Sequence, residues 1–303
     1  MMNPRLEEKL REFRQQYPVD EAVKYRVTEP TTDFIGEDIL EIALAALLEG
    51  ENVLLCGSKA TGKNILAENL AWLMERPVYS MSFHVGVDSS MLIGTDTFEN
   101  NRVTLRKGPI YRCAEYGGFG ILDEINMAKS DAMAVLHAAL DYRRLIDVPG
   151  YQRIALHPAT RFIGTMNYGY AGTRELNEAL VSRFVVIQMP VLSREELNRL
   201  FDQKLPGVRK SILDQLSALF LDLHEKAESG EVSSRAVDLR GMIAALRMVR
   251  IGIPPFHALK AGISDKCFDP FERQLVEDVI RTRFSESLNA VSYTHLDVYK
   301  RQA

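Results

Sequence analysis

Residues 53–70 read VLLCGSKATGKNILAENL. Four uninterrupted apolar residues pass through a glycine-flanked polar loop into leucines at helical spacing, as when a buried strand turns sharply into a helix. The loop, Gly57–Asn64, has the spacing G-x-x-x-x-G-K. Glycines there let successive backbone N–H groups face phosphate oxygens without interference from a Cβ. The lysine, Lys63, can reach the outer phosphates, and the helix that follows points its positive end at them. Gly57, Ser58, Lys59, Ala60, Thr61, Gly62, Lys63, Asn64 and Ile65 are therefore the candidate phosphate cradle. That spacing alone arises by chance in about one 300-residue chain in ten. Its place between a strand and a patterned helix is what carries the reading.

Working outward, short apolar runs recur at PVYSMSF (77–83), FGIL (119–122), RFIGTMN (161–167) and FVVIQM (184–189). Helical patterns lie between them, one with Leu66, Leu70 and Leu73 on one face and another with Met133, Leu136 and Leu140. Alternating strands and helices predict an α/β fold, a parallel five-stranded sheet with helices on both faces. Two stretches, DTFENNRVTLRKG (96–108) and RRLIDVPGYQRIALHP (143–158), read as inserted hairpins. Beyond Pro190 the strand signals stop. Helices are predicted over 192–205, with Ser193 and Glu196 as a capping box, and over 211–227, with Ile212, Leu216, Leu219, Phe220 and Leu223 in one stripe. Two more are predicted over 236–250 and 271–288. The expected organisation is a helical extension (1–33), an α/β domain (34–190), an all-α domain (191–290) and a tail (291–303). The tail's SYTHLDVYKRQA (292–303) ends the helical pattern abruptly and resembles a translated adapter, so His295, Lys300 and Arg301 receive no role.

The 303 residues are 46% hydrophobic and 26% charged, enough for real cores, and the net charge of −4 offers polyanions no general attraction. Three scattered cysteines, Cys56, Cys113 and Cys267, suit neither a disulfide framework nor a metal cluster, and reduced thiols are expected. His84 and His137 lack partners at metal-ligand spacing. Arg143 and Arg144 are expected to be a solvated hairpin base. The charged start has no secretory apolar run, and a cytoplasmic protein is the expectation.

Three more elements belong with the loop. GGFGILDEIN (117–126) is an apolar strand ending in two acids, at the sheet edge where open α/β folds bind ligands. Asp123 there could hold Mg²⁺ and Glu124 could polarise an attacking water, although two solvated acids at a strand end are common. RFIGTMN ends in Asn167, whose amide could reach the outermost phosphate or the water, while a lone Asn is usually a turn residue. In LNEALVSRF (176–184), Arg183 could project into a neighbouring copy's site and stabilise charge on a transferred phosphoryl group. Taken alone it reads as a surface arginine, and Arg174 competes with it. Asn64 stands where a Ser or Thr hydroxyl is wanted for Mg²⁺. Its amide oxygen is still a hard neutral donor on a longer side chain, so weaker metal binding or slower turnover is expected, with nucleotide binding kept.

These elements in this order resemble the AAA+ ATPases, and more closely their MoxR-type branch with the related CbbQ/NorQ-type proteins. LDEINMAKSDAMAVLHAALD (122–141), GTMNYGYAGTRELNEALVSRF (164–184) and GPIYRCAEYGG (108–118) carry the resemblance, which spans roughly 34–288. It implies a P-loop NTPase domain with a helical lid, assembled as a ring, usually a hexamer. It implies ATP and Mg²⁺ as cofactors and a chaperone-like activity on a protein client, often with a partner carrying a von Willebrand factor A domain. Residue by residue, Gly57, Gly62 and Lys63 fall on Walker A, Asp123 and Glu124 on Walker B, Asn167 on sensor 1 and Arg183 on the arginine finger. VSSRAVDLR (232–240) resembles the start of the sensor-2 helix and nominates Arg235, with Arg240 as the fallback. Two other functions fit less well: a nucleotide-regulated scaffold with little turnover, motivated by Asn64, and a nucleic-acid motor, disfavoured by the acidic balance.

Overall fold

The computed structural model describes residues 2–99, 101–148, 150–167 and 176–285. The chain divides into two units, Met1–Pro190 and Val191–Ala303. In the first, five strands form one sheet: β1 (Asn52–Gly57), β2 (Val78–Ser82), β3 (Phe119–Asp123), β4 (Arg161–Asn167) and β5 (Phe184–Gln188). Their order is β2-β3-β4-β1-β5, and every pairing is parallel. After β1 the chain crosses to the far edge and returns through β3 and β4, so β1 lies at the reversal of strand order, where such sheets take ligands.

Both faces of the sheet are covered, which explains the unbroken apolar strands. Along β1 the side chains alternate. Val53 and Leu55 join a core with Leu44 and Leu47 of α2 (Glu37–Leu48) and Leu66 and Leu70 of α3 (Lys63–Leu73). Leu54 and Cys56 join the opposite core with Ile110 and Cys113 of α4 (Pro109–Tyr116) and Leu136 of α5 (Ser130–Ala139). The amino-terminal helix, Pro4–Gln16, adds Leu10 and Phe13 to the first core. It is fastened by two arginines: buried Arg76 donates to the Tyr17 carbonyl at 2.7 Å, and half-buried Arg14 donates through Nε to that of Leu73 at 2.8 Å.

Two antiparallel hairpins are inserted, Gly94–Glu99 with Arg102–Lys107 and Leu145–Ile146 with Ile154–Ala155. Tyr151 Oη donates to Asp96 Oδ1 at 2.6 Å and ties one insert to the other. Arg144 corrects the expectation of a solvated hairpin base. It is half-buried, and its Nη2 donates to the carbonyls of His157 and Thr160.

The second unit is helical among its described residues: α6 (Arg194–Lys204), α7 (Lys210–Glu228), α8 (Leu239–Arg250), α9 (Pro255–Gly262) and α10 (Pro270–Arg283). Ser193 and Glu196 form the capping box expected for α6. α8 starts three residues later than predicted because Asp238 caps it, accepting the Gly241 N–H at 3.1 Å. Arg235 therefore lies ahead of the helix it was expected to open, stacked over the Phe268 ring at 5.0 Å, and Arg240 occupies the first turn. No described helix is long and apolar enough to cross a membrane. Residues 292–303 and the competing Arg174 lie outside the described residues.

Candidate functional site

The three carboxyl strand ends meet by register. Gly57 of β1 pairs with Asn167 of β4, and Leu55 pairs with Thr165. On the other side of β4, Leu122 of β3 pairs with Gly164, which sets Asp123 beside Thr165. The loop, the acid pair and Asn167 therefore occupy one edge.

Two glycines of the loop have no substitute. Gly62 sits at φ +85°, a left-handed backbone that disfavours any Cβ, and immediately precedes α3. A Cβ on Gly57 would stand 2.8 Å from the Met189 carbonyl oxygen. Ala60 also takes a positive φ, 67°, the kind of left-handed backbone from which anion-binding concavities are built.

Lys63 is 7% exposed, and its Nζ donates to the carbonyls of Gly57 at 3.0 Å and Ser58 at 2.7 Å and to Thr61 Oγ1 at 3.3 Å. Burial pushes its ammonium down to about 8, partly offset by Cys56, Asp123 and Glu124. This has a measurable consequence. A bound polyphosphate favours the charged lysine, so binding above about pH 8 must take up a proton. ATP affinity is therefore expected to be flat with respect to this group below about pH 8. Above it, affinity should weaken by up to tenfold per pH unit. Calorimetric titrations across that range check the prediction, and an unchanged Kd at high pH would contradict it.

The acids are held by a residue not singled out in the sequence. Thr165, 1% exposed, donates its hydroxyl to Asp123 Oδ1 at 2.5 Å and accepts the Glu124 N–H at 3.1 Å. The other Asp123 oxygen, Oδ2, accepts from Asn64 Nδ2 at 3.2 Å. Glu124 itself has φ +55°, a left-handed conformation costing about 1–3 kcal/mol for a residue with a side chain. Such strain concentrates at functional positions. Asn167 Nδ2 lies 3.5 Å from Glu124 Oε1, and buried Asn126 donates to the Asn167 carbonyl at 3.3 Å.

These donors suit Mg²⁺. One carboxylate, a neighbouring amide and a hydroxyl are hard oxygen chemistry, and Mg²⁺ usually takes one or two carboxylates together with phosphates and water. Asn64 fits when its amide turns to present Oδ1 in place of Nδ2. No group of three or more His, Cys, Asp or Glu among the described residues could hold a metal by itself.

Arg183 is the site residue that the fold keeps away. Phe184 pairs with Asn52, the first residue of β1, whereas the loop begins at Gly57. Five residues of strand separate the two levels by about 17 Å, more than an arginine side chain spans. Arg183 instead donates to the Ala179 carbonyl and, through Nη2, to Asp141 Oδ2 at 3.5 Å.

Residues 52–184 match the family model described as AAA domain (dynein-related subfamily). The chain is 32% identical over 285 residues to uncharacterized protein YojN of Bacillus subtilis (strain 168), covering 92% of this chain and 93% of YojN. It is 30% identical over 254 residues to uncharacterized protein SH1500 of Staphylococcus haemolyticus, covering 82% and 96%. A mutant of Thermotoga maritima RuvB is a structural match with 18% identity, 82% and 91% coverage and a TM-score of 0.46.

Proposed function

We propose that this chain, which belongs to the AAA domain family (dynein-related subfamily), binds ATP along the carboxyl edge of its sheet and hydrolyses it with an arginine supplied by a second copy. The observation that carries the reading is the register. It gathers Lys63, Asp123, Glu124 and Asn167 at one end of the strands and leaves Arg183 at the other. In this reading the N–H groups of residues 58–65 and the Lys63 ammonium hold the phosphates. Asp123 and Asn64 Oδ1 hold Mg²⁺, which supplies neutralising charge when bound. Glu124 accepts the proton of the attacking water, and Asn167 orients that carboxylate. Arg183 of the adjoining copy stabilises charge on the transferred group.

The finer assignment is a MoxR-type remodelling ATPase that works as a ring, usually a hexamer, in the cytoplasm. Its client is a protein, with a von Willebrand factor A-domain protein as the expected partner. The first hairpin supports a client surface: Phe98 and Val103 face each other across it and are 71% and 62% exposed. In this reading the exposed pair is where a client would be gripped.

A second reading, a scaffold that binds ATP with little turnover, is favoured by the Asn64–Asp123 hydrogen bond, which must break before the amide can face a metal. Steady-state phosphate release separates the two. The ATPase reading predicts Mg²⁺-dependent turnover in the parent protein, and its absence supports the scaffold. Asn64→Thr restores a compact hydroxyl, and the Mg²⁺ concentration giving half-maximal rate is expected to fall several-fold. An unchanged Mg²⁺ requirement would show that Asn64 does not touch the metal.

A further inference from the structure

We propose that Asp141 is the positioning residue for Arg183, and that Arg143 retains the Asp141 carboxylate when Arg183 extends toward a second copy's ATP. The proposal rests on the reading of Arg183 as a residue acting in trans.

Asp141 lies two residues beyond the end of α5, next to its cap residue Leu140, and is 8% exposed. Its carboxylate serves two guanidiniums. Oδ1 accepts Arg143 Nε at 2.7 Å and the Arg143 backbone N–H at 3.1 Å, while Oδ2 accepts Arg183 Nη2 at 3.5 Å. The two ion pairs are unequal. The Arg143 bond has the length of a strong charge-assisted bond, and the Arg183 bond is well beyond it. Arg183 can therefore leave without stranding a buried carboxylate, because Oδ1 stays doubly bonded. Stranding that acid would otherwise oppose release.

The arrangement also has an address. Glu124 opens the single turn Ile125–Met127, α5 follows, and Asp141 lies just past its cap residue Leu140. One continuous segment, 124–141, thus has the water-polarising acid of one site at its start and the holder of the arginine meant for another site at its end. Without Asp141, the hydrogen-bond partner of the Arg183 guanidinium that remains among the described residues is the Ala179 carbonyl, four residues back in its own chain. The arginine then samples many rotamers, and misplacement of a transition-state group by about 1 Å costs up to a hundredfold in rate.

The test uses mixed assemblies of two full-length variants. The donor carries Lys63→Ala and keeps Arg183; the acceptor carries Arg183→Ala and keeps its site. Only a donor arginine facing an acceptor site is productive. Asp141→Asn added to the donor is expected to lower phosphate release by tenfold or more, with the KM for ATP unchanged. The same change added to the acceptor, whose Arg183 is already gone, should alter release by less than twofold. Asp141→Glu in the donor, which keeps the charge, should retain most of the rate and so separates loss of the ion pair from loss of the fold. Equal losses from either placement, no loss from the donor, or no rescue by Glu would overturn the proposal. A mixture silent before Asp141 is touched means that Arg183 does not act in trans, and the proposal then falls with that reading.

Discussion

Glu124→Gln is expected to slow ATP hydrolysis 10²–10⁴-fold while leaving ATP affinity within about twofold of the parent, the loss that follows removal of a general base. Gln keeps the size of the side chain and an oxygen able to accept from Asn167, but it cannot take a proton. The backbone of residue 124 is held in the left-handed region by neighbours the substitution leaves alone: its N–H on Thr165 and the turn over Ile125–Met127. The phosphate contacts come from other residues, so binding should survive. Single-turnover phosphate release beside equilibrium binding makes the measurement. Proportionate loss of both would mean that Glu124 holds the fold or the nucleotide instead of the water.

Arg183→Ala should cost more, about 10³–10⁵ in turnover, the range for a guanidinium that stabilises phosphoryl-transfer charge. Its level on the sheet decides how the loss behaves. The residue precedes β5 at the amino edge, whereas the loop lies beyond the carboxyl end of β1. A variant lacking it should bind ATP normally, because the arginine contributes nothing to its own chain's site. Mixing it with Lys63→Ala chains should recover part of the rate, since each supplies what the other lacks. A loss of ATP affinity in the Arg183→Ala chain by itself would contradict action in trans.

Strands, loop and acid pair were readable because each has a one-dimensional signature. A strand buried on both faces is apolar at every position, and β1 and the apolar start of β3 were visible for that reason. The parallel α/β sheet followed from strands alternating with helices, and the P-loop NTPase assignment from the family resemblance that the loop and acid motifs carry. Thr165 and Asn126 were not readable. A buried Thr inside RFIGTMN is an ordinary strand residue until register sets it beside Asp123, and register is a property of the paired strands. Asp141 was hidden likewise, because its partner Arg183 is 42 residues on. No helix is predicted between 250 and 271, yet α9 forms there with Pro255 in its first turn, a position well suited to proline. The predicted start of α8 at 236 falls three residues before the observed one at Leu239. Asp238 makes the cap, and Ser233 Oγ donates to Glu272.

The central claim is that Lys63 and the acid pair serve one triphosphate. The most direct measurement is a crystal structure of the Glu124→Gln protein with ATP and Mg²⁺. The account predicts Lys63 Nζ within hydrogen-bonding distance of a β- or γ-phosphate oxygen, released from the Gly57 and Ser58 carbonyls, with Asp123 and Asn64 on the metal side of the same phosphates. ATP bound elsewhere, or Lys63 still held by those two carbonyls with nucleotide present, would contradict it.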